Sequence, residues 1–229
     1  DWGAVKFKGY ESGVTELMIE KETAITVTAT PNAGYRFKGW YNQETGGLVS
    51  VDTEYRFSPD YNIILVARFE EIPFCMPEYQ TPAKYYLGKA SITPASQSAL
   101  YYVGSSTSSE DGISSNIQRL SILGGVNVKR GTTFSLYIEK ANSSAALSSA
   151  NVALWADWDK SHSFDSDEYI GSYNITSSSN TFNVTVPDDA VKGDVYLRLI
   201  MTDNELTETS SCDAVGTGAV YDFMVTVTP

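Results

Sequence analysis

The chain has 229 residues, of which 42% are apolar and 19% charged, so it is long enough for one or two domains with an apolar core and is not disordered by composition. Acidic residues outnumber basic residues 28 to 16, and the resulting net charge of −12 argues against nucleic acid as a partner. No run of about 18 apolar residues occurs, which predicts that no segment spans a membrane.

Alternating apolar and polar residues predict a small β unit over residues 1–72. Residues 24–30 alternate as a half-buried strand does, and a turn then leads into a second strand at 35–41. On this second strand, Trp40 is expected on the face opposite Phe37, because side chains alternate along a strand. Three further strands are predicted at residues 5–7, 54–57 and 63–69, the last of them central or buried on both sides because it is almost continuously apolar.

The first unit is predicted to end at residue 72, where two glutamates and Pro73 close the last strand, so the second unit spans 73–229. Residues 73–115 are rich in Pro, Tyr and Ser and predict surface loops or irregular edge strands rather than core. Regular alternation then predicts strands at residues 116–123, 132–140, 151–158, 180–186, 194–202 and 218–227. The sequence therefore predicts an all-β protein whose second unit is an antiparallel β-sandwich, similar to a jelly roll.

One acidic segment, residues 157–168, has the spacing of a calcium-binding loop. With Asp157 as position 1, oxygen-bearing side chains fall at positions 1, 3, 5, 9 and 12, the offsets at which such a loop surrounds a hard cation. Ser161 replaces the usual Asp or Asn at position 5, and His162 replaces the Gly at position 6, so the site is predicted to be weak. The alternative is a solvated acidic hairpin without metal. The predicted ligands are Asp157, Asp159, Ser161, Asp165 and Glu168, and Ca²⁺ is the one cofactor that the sequence suggests.

Exposed aromatic side chains could form a platform for a sugar ring, because Tyr and Trp combine an apolar face with a polar tip. Trp40, Tyr101 and Tyr102 are the candidates. The alternative is that they belong to the core, since adjacent strand residues point to opposite faces. His162, the only histidine, is predicted to be an exposed turn residue, and no nucleophile motif accompanies it, so no catalytic activity is predicted.

Cys75 and Cys212 are separated by 137 positions, which matches neither a zinc site nor a redox Cys-x-x-Cys motif. Two buried thiols or one disulfide are both compatible with this spacing, and a disulfide would indicate an oxidising compartment. The chain begins Asp1-Trp2-Gly3 without the pattern of a secretory signal, so any such signal is expected to have been removed.

The first unit resembles an internalin-type B repeat. The resemblance rests on the pattern Ala-Thr-Pro, Gly-Tyr-x-Phe and Gly-Trp within residues 25–41, and on Ala67-Arg68-Phe69 at the end of the unit. It implies a small β-grasp-like module that acts as a spacer or interaction domain on bacterial surface proteins, with no catalytic residues.

The second unit is similar to the GEVED domain, a β-sandwich of secreted bacterial proteins. Three landmarks carry this similarity: Cys75-Met76-Pro77, the segment 154–165, and the late Cys212 followed by residues 218–223. The motif keeps Gly218, Val220 and Asp222, whereas its two glutamates are replaced by Ala219 and Tyr221. The resemblance implies a disulfide between Cys75 and Cys212, because this family pairs a first and a late cysteine.

These features together favour a non-catalytic segment of a bacterial cell-surface or secreted protein that acts in adhesion. Its partner would be an extracellular protein or a glycan, and the chain would be a monomer or a weak oligomer. A carbohydrate-binding module is the first alternative, since many β-sandwiches bind sugars. Accessory domains of a larger secreted hydrolase are the second.

Overall fold

The computed structural model describes residues 2–78, 87–94, 100–103, 117–120, 126–140, 150–175, 179–216 and 218–229, with 100–103 and 117–120 described by their backbone alone. The chain divides into two compact units, residues 1–73 and 74–229, one residue from the predicted boundary. Nearly all regular structure in the described residues is β-strand, which confirms the predicted fold class.

The first unit contains two three-stranded antiparallel sheets, with strand orders β1-β2-β5 and β4-β3-β6. No helix occurs between residues 2 and 73, so the unit lacks the helix that a β-grasp arrangement implies. Val27, Ala29 and Trp40 are the buried centre of its core. The strands are β1 (Gly3–Phe7), β2 (Ile25–Pro31), β3 (Tyr35–Asn42), β4 (Leu48–Ser50), β5 (Glu54–Phe57) and β6 (Leu65–Glu71).

Trp40 lies in this core and not on the surface, so its predicted place in an exposed aromatic platform is wrong. The register between β3 and β6 shifts between Phe37 and Gly39, which inserts one extra residue into β3. An inserted residue reverses the alternation beyond it, so Trp40 comes to the same side as Phe37. Their ring centroids are 5.5 Å apart, and Trp40 is only 3% exposed. Its indole N–H donates to the carbonyl of Asp52 at 3.0 Å.

Strand β6 differs from its prediction as well. It pairs with β3 at the end of its sheet, and its residues alternate between half-buried and exposed, with Val66 37% exposed. A continuous apolar run therefore did not indicate a central strand here, because the unit is small and one face of this sheet is turned to solvent.

The second unit is a two-sheet sandwich, as predicted. One sheet has the order β10-β16-β15-β12-β13, with β9 also paired to β16, and the other has the order β14-β11-β7-β8. The pairs are antiparallel except that β9 and β10 each run parallel to β16. The strands are β7 (Leu87–Thr93), β8 (Leu100–Val103), β9 (Ile117–Leu120), β10 (Asn127–Lys129), β11 (Thr133–Lys140), β12 (Ala150–Ala156), β13 (Tyr169–Ile175), β14 (Ser179–Thr185), β15 (Gly193–Thr202) and β16 (Ala219–Thr228).

The main core lies between these two sheets. It combines inward side chains of both, such as Leu136 and Phe182 from one sheet and Leu199 and Phe223 from the other. Strand β7 belongs to this core, with Ala90 and Ile92 fully buried, although residues 73–115 predicted loops or edge strands. The small and polar residues of β7 resemble loop composition, but its pairing with both β8 and β11 places it inside its sheet.

A second apolar cluster covers the outer face of β12, β15 and β16. Trp155, Ile200 and Val220 project from these strands, and Phe74 and Phe164 pack onto them from connecting segments. These strands are therefore buried on both faces, and the second cluster fixes the position of the acidic loop that follows β12.

Candidate functional site

The acidic loop, residues 157–168, connects β12 to β13 and is anchored at both ends. The Asp157 N–H donates to the carbonyl of Tyr196 at 2.9 Å, which continues the pairing with β15. Trp158 is buried in the main core, and Phe164 is buried in the second cluster. The loop ends in a short 3-10 helix, Ser166–Glu168, directly before β13. Its two buried aromatic residues therefore hold the loop against the sandwich.

The loop makes a sharp turn at His162, the position at which calcium-binding loops usually have glycine. Lys160 has φ 60° and His162 has φ 64°, both in the left-handed region. The N–H of Ser161 donates to Asp159 Oδ1 at 2.8 Å and closes the turn between them. His162 also stacks on Phe74, with 4.6 Å between ring centroids. The left-handed conformation of a non-glycine residue costs about 1–2 kcal/mol, and these contacts hold the turn in spite of it.

Three of the five predicted ligands come together. One carboxylate oxygen from each of Asp157, Asp159 and Glu168 lies within 4.8 Å of the others; this group is called the carboxylate triad below. Asp157 is 1% exposed and Glu168 is 6% exposed, whereas Asp159 is exposed. A fully solvated acidic hairpin is therefore the wrong description of this segment.

Asp165 lies outside the triad, and its carboxylate belongs to a chain of hydrogen bonds beside it. The hydroxyl of Ser163 is 2.8 Å from that of Ser161 and donates to Asp165 Oδ2 at 2.9 Å. Ser161 thus bonds within the loop through its side chain. These two predicted ligands stabilise the turn, and any role toward a cation remains a prediction.

The two buried carboxylates of the triad differ in their hydrogen bonds. Glu168 Oε1 accepts from the N–H of Asp159 at 3.3 Å, and its Oε2 accepts from the N–H of Asp165 at 3.2 Å. Among the residues that the structure describes, by contrast, no donor reaches Asp157 Oδ1, although this atom is buried. A buried charged oxygen without a partner is unfavourable and requires an explanation.

Burial raises the pKa of both inner carboxyls. It raises the pKa of Asp157 to about 6; the charge of His162 and hydrogen bonds from the backbone of His162 and Ser161 oppose this rise, and the charge of Asp159 reinforces it. It raises the pKa of Glu168 to about 7, against the hydrogen bonds from the backbone of Asp165 and Asp159. Both carboxyls therefore bind protons more tightly in the folded than in the unfolded chain.

This difference predicts the pH dependence of stability of the metal-free protein. A raised pKa in the folded state stabilises the fold at low pH, and the contribution is lost as pH rises from about 4 through the folded values of about 6 and 7. We expect the free energy of unfolding of the second unit to fall over this window, and Glu168→Gln to flatten the fall. Urea denaturation at successive pH values measures the free energy of unfolding of the wild type and of the variant. Asp167→Asn, in the same loop but outside the triad, should keep the wild-type slope; an equal flattening in both variants would contradict the assignment.

A buried ion pair lies beneath the second cluster and was not predicted from the sequence. Arg198 on β15 is fully buried, and its Nε and Nη2 each donate to one carboxylate oxygen of Asp222 on β16 at 2.8 Å. Nη1 donates to the carbonyl oxygens of Cys75 at 3.0 Å and Ser211 at 3.3 Å. The guanidinium also lies 4.5 Å from the ring centroid of Phe164. An arginine within the apolar run of β15 was the signal that could have indicated a buried partner.

Cys75 and Cys212 form the disulfide that the family resemblance implies, with Cα atoms 5.8 Å apart. Cys212 is exposed and Cys75 half-buried, so the alternative of two buried thiols is wrong. The segments on either side of the bond pack on the acidic loop: the Ser211 hydroxyl donates to the Phe164 carbonyl at 2.8 Å, and Phe74 stacks on the Phe164 ring. Tyr101 and Tyr102, the remaining platform candidates, have side chains outside the described residues.

Comparison with protein families finds one match in each unit of the chain. Residues 5–73 match the divergent InlB B-repeat domain, and residues 151–226 match the GEVED domain, which confirms the arrangement predicted from the motifs. No curated protein matches the chain significantly. Within the described ranges, no helix is long and apolar enough to cross a membrane.

Proposed function

We propose that this chain has a non-catalytic role in attachment outside the cell. In its sequence, a match to the divergent InlB B-repeat domain precedes a match to the GEVED domain. The two domains are modules of the bacterial surface type. In our proposal, the chain is a segment of a cell-surface or secreted protein and binds an extracellular protein or glycan. Its second unit serves as a scaffold that presents loops, and its first unit as a spacer or contact domain.

The disulfide between Cys75 and Cys212 is the observation that carries the extracellular location in this proposal. Disulfides persist in oxidising compartments and are reduced in most bacterial cytosols. Cys212 is exposed, so reductants would reach this bond without unfolding of the chain. A structural disulfide of this kind supports a location outside the cytosol.

The charge of the chain supports the same role. A net charge of −12 keeps an extracellular module soluble and attracts positively charged surfaces of a partner from a distance. We therefore expect attachment to weaken as the salt concentration rises, because ions screen the attraction between exposed charges.

Beads coated with the purified chain test the proposal on a glycan array and on surfaces coated with extracellular-matrix proteins. We expect saturable retention on at least one of them, which excess free chain abolishes and salt reduces. Beads coated with an unrelated protein of similar net charge are the control. Equal retention of the control beads, or no retention on any surface, would contradict attachment; free thiols on the protein isolated from its native cell would contradict the location.

A further inference from the structure

We propose that the carboxylate triad, Asp157, Asp159 and Glu168, binds one Ca²⁺ ion in the second unit. This site goes beyond the attachment role and does not depend on it. The ion would be held between the start of the acidic loop and its final turn, and would tie β12 to the short helix before β13.

The separation of the three carboxylates fits a shared calcium ion. Calcium–oxygen distances are about 2.3–2.6 Å, so two ligand oxygens on opposite sides of one ion lie up to about 5 Å apart. The triad oxygens lie within 4.8 Å of one another. The three side chains can therefore contact one ion with little rearrangement, and water or backbone carbonyls would complete the six to eight ligands that Ca²⁺ prefers.

The unpartnered oxygen of Asp157 independently points to a cation. Asp157 is only 1% exposed, and no donor among the described residues reaches its Oδ1. Buried charges in proteins are paired with an opposite charge or coordinate a metal. The backbone of His162 and Ser161 also bonds to the Asp157 carboxylate, but Oδ1 stays without a donor in the part of the chain that the structure describes. A divalent ion in the triad would supply a partner for Oδ1 and would offset the repulsion among three nearby carboxylates.

The geometry of the loop is compatible with ligand exchange from solvent. Asp159 is exposed, which leaves one side of the triad open to an arriving ion. Glu168 keeps acceptor capacity for an ion, because each oxygen of an ionised carboxylate has two lone pairs and each accepts one backbone hydrogen bond here. The loop backbone already has the left-handed turn at His162, so the ion would not have to induce it.

Calorimetric titration of CaCl₂ into the metal-free, oxidised full chain at pH 7.5 tests the site. We expect one binding event per chain, a higher Tm of the second unit in Ca²⁺, and weaker binding of Mg²⁺, which gives up its water ligands reluctantly. Asp157→Asn is expected to weaken Ca²⁺ binding at least about tenfold, since a ligand charge and the buried oxygen are both altered. Asp167→Asn makes the same charge change in the same loop outside the triad and should bind Ca²⁺ within about twofold of wild type.

Two results would overturn the site. The first is no saturable binding up to about 10 mM Ca²⁺, a concentration well above the dissociation constants of weak extracellular calcium modules. The second is an equal loss of Ca²⁺ affinity in Asp157→Asn and Asp167→Asn. The second result would show that Ca²⁺ responds only to the general negative charge. Asp159→Asn replaces an exposed residue and repeats the test if Asp157→Asn does not fold, as judged by circular dichroism. Attachment in the bead assay is a separate readout, so failure of either proposal is distinguishable from failure of the other.

Discussion

Replacing Asp222 with Asn is expected to destabilise the second unit by about 3–5 kcal/mol, the range found when one partner of a buried ion pair is removed. Arg198 is fully buried and makes two hydrogen bonds of 2.8 Å to the Asp222 carboxylate. The substitution would leave the guanidinium charged, because its pKa is too high for it to lose its proton. Urea denaturation of the oxidised protein at pH 7 measures the loss.

Asp194→Asn is the matched control for this substitution. Asp194 lies on the same strand as Arg198 and also bonds across to β16, where it accepts from the Thr226 hydroxyl at 2.7 Å, but it is exposed. Its replacement should therefore cost less than about 1 kcal/mol. If Asp222→Asn costs no more than Asp194→Asn, the buried pair does not hold β15, β16 and the Cys75 segment together as we infer.

Removing the disulfide, by Cys75→Ser combined with Cys212→Ser, is expected to lower the free energy of unfolding of the second unit by a similar amount. The bond joins residues 137 positions apart and closes a loop that includes strands β7 to β15. Loop-closure entropy predicts a loss of about 5 kcal/mol for a loop of this length, with 2–5 kcal/mol commonly measured for native bonds. Thermal unfolding of the double variant, compared with the wild type with and without reductant, measures it.

The first unit serves as the internal control for this experiment, because it contains neither cysteine. Its unfolding transition should keep its midpoint while that of the second unit moves down. A second-unit midpoint that changes by less than about 2 °C would correspond to less than about 1 kcal/mol and would contradict a stabilising role for the bond.

Strand positions were largely predictable because alternation with period two reports which face of a strand is buried. Residues 133–140, 179–185 and 193–202 form strands β11, β14 and β15 close to where the alternation placed them. Strand β7 was missed because Gly88 and Ser91 give it the composition of a loop, and only its pairing partners decide that it is central. Trp40 was misplaced because a bulge reverses the alternation, and bulges depend on the partner strand.

The candidate site was predictable to the extent that its residues are close in sequence. Asp157, Asp159 and Glu168 belong to one segment of twelve residues, so their offsets alone suggested that they meet. The burial of Asp157 and Glu168 could not be read from the same segment. The loop packs against Phe74 and against the outer face of β15 and β16, which come from distant parts of the chain.

The sequence by itself thus determined the all-β class, the two-unit organisation indicated by the family motifs, and the group of acids on one loop, since each depends on local periodicity or spacing. Only the tertiary structure decided that Asp157 and Glu168 are buried and that Arg198 finds Asp222. The physical reason is that burial and ion pairing are set by contacts between segments far apart in the chain, so a single segment can contain a charged residue in an apolar run without identifying its partner.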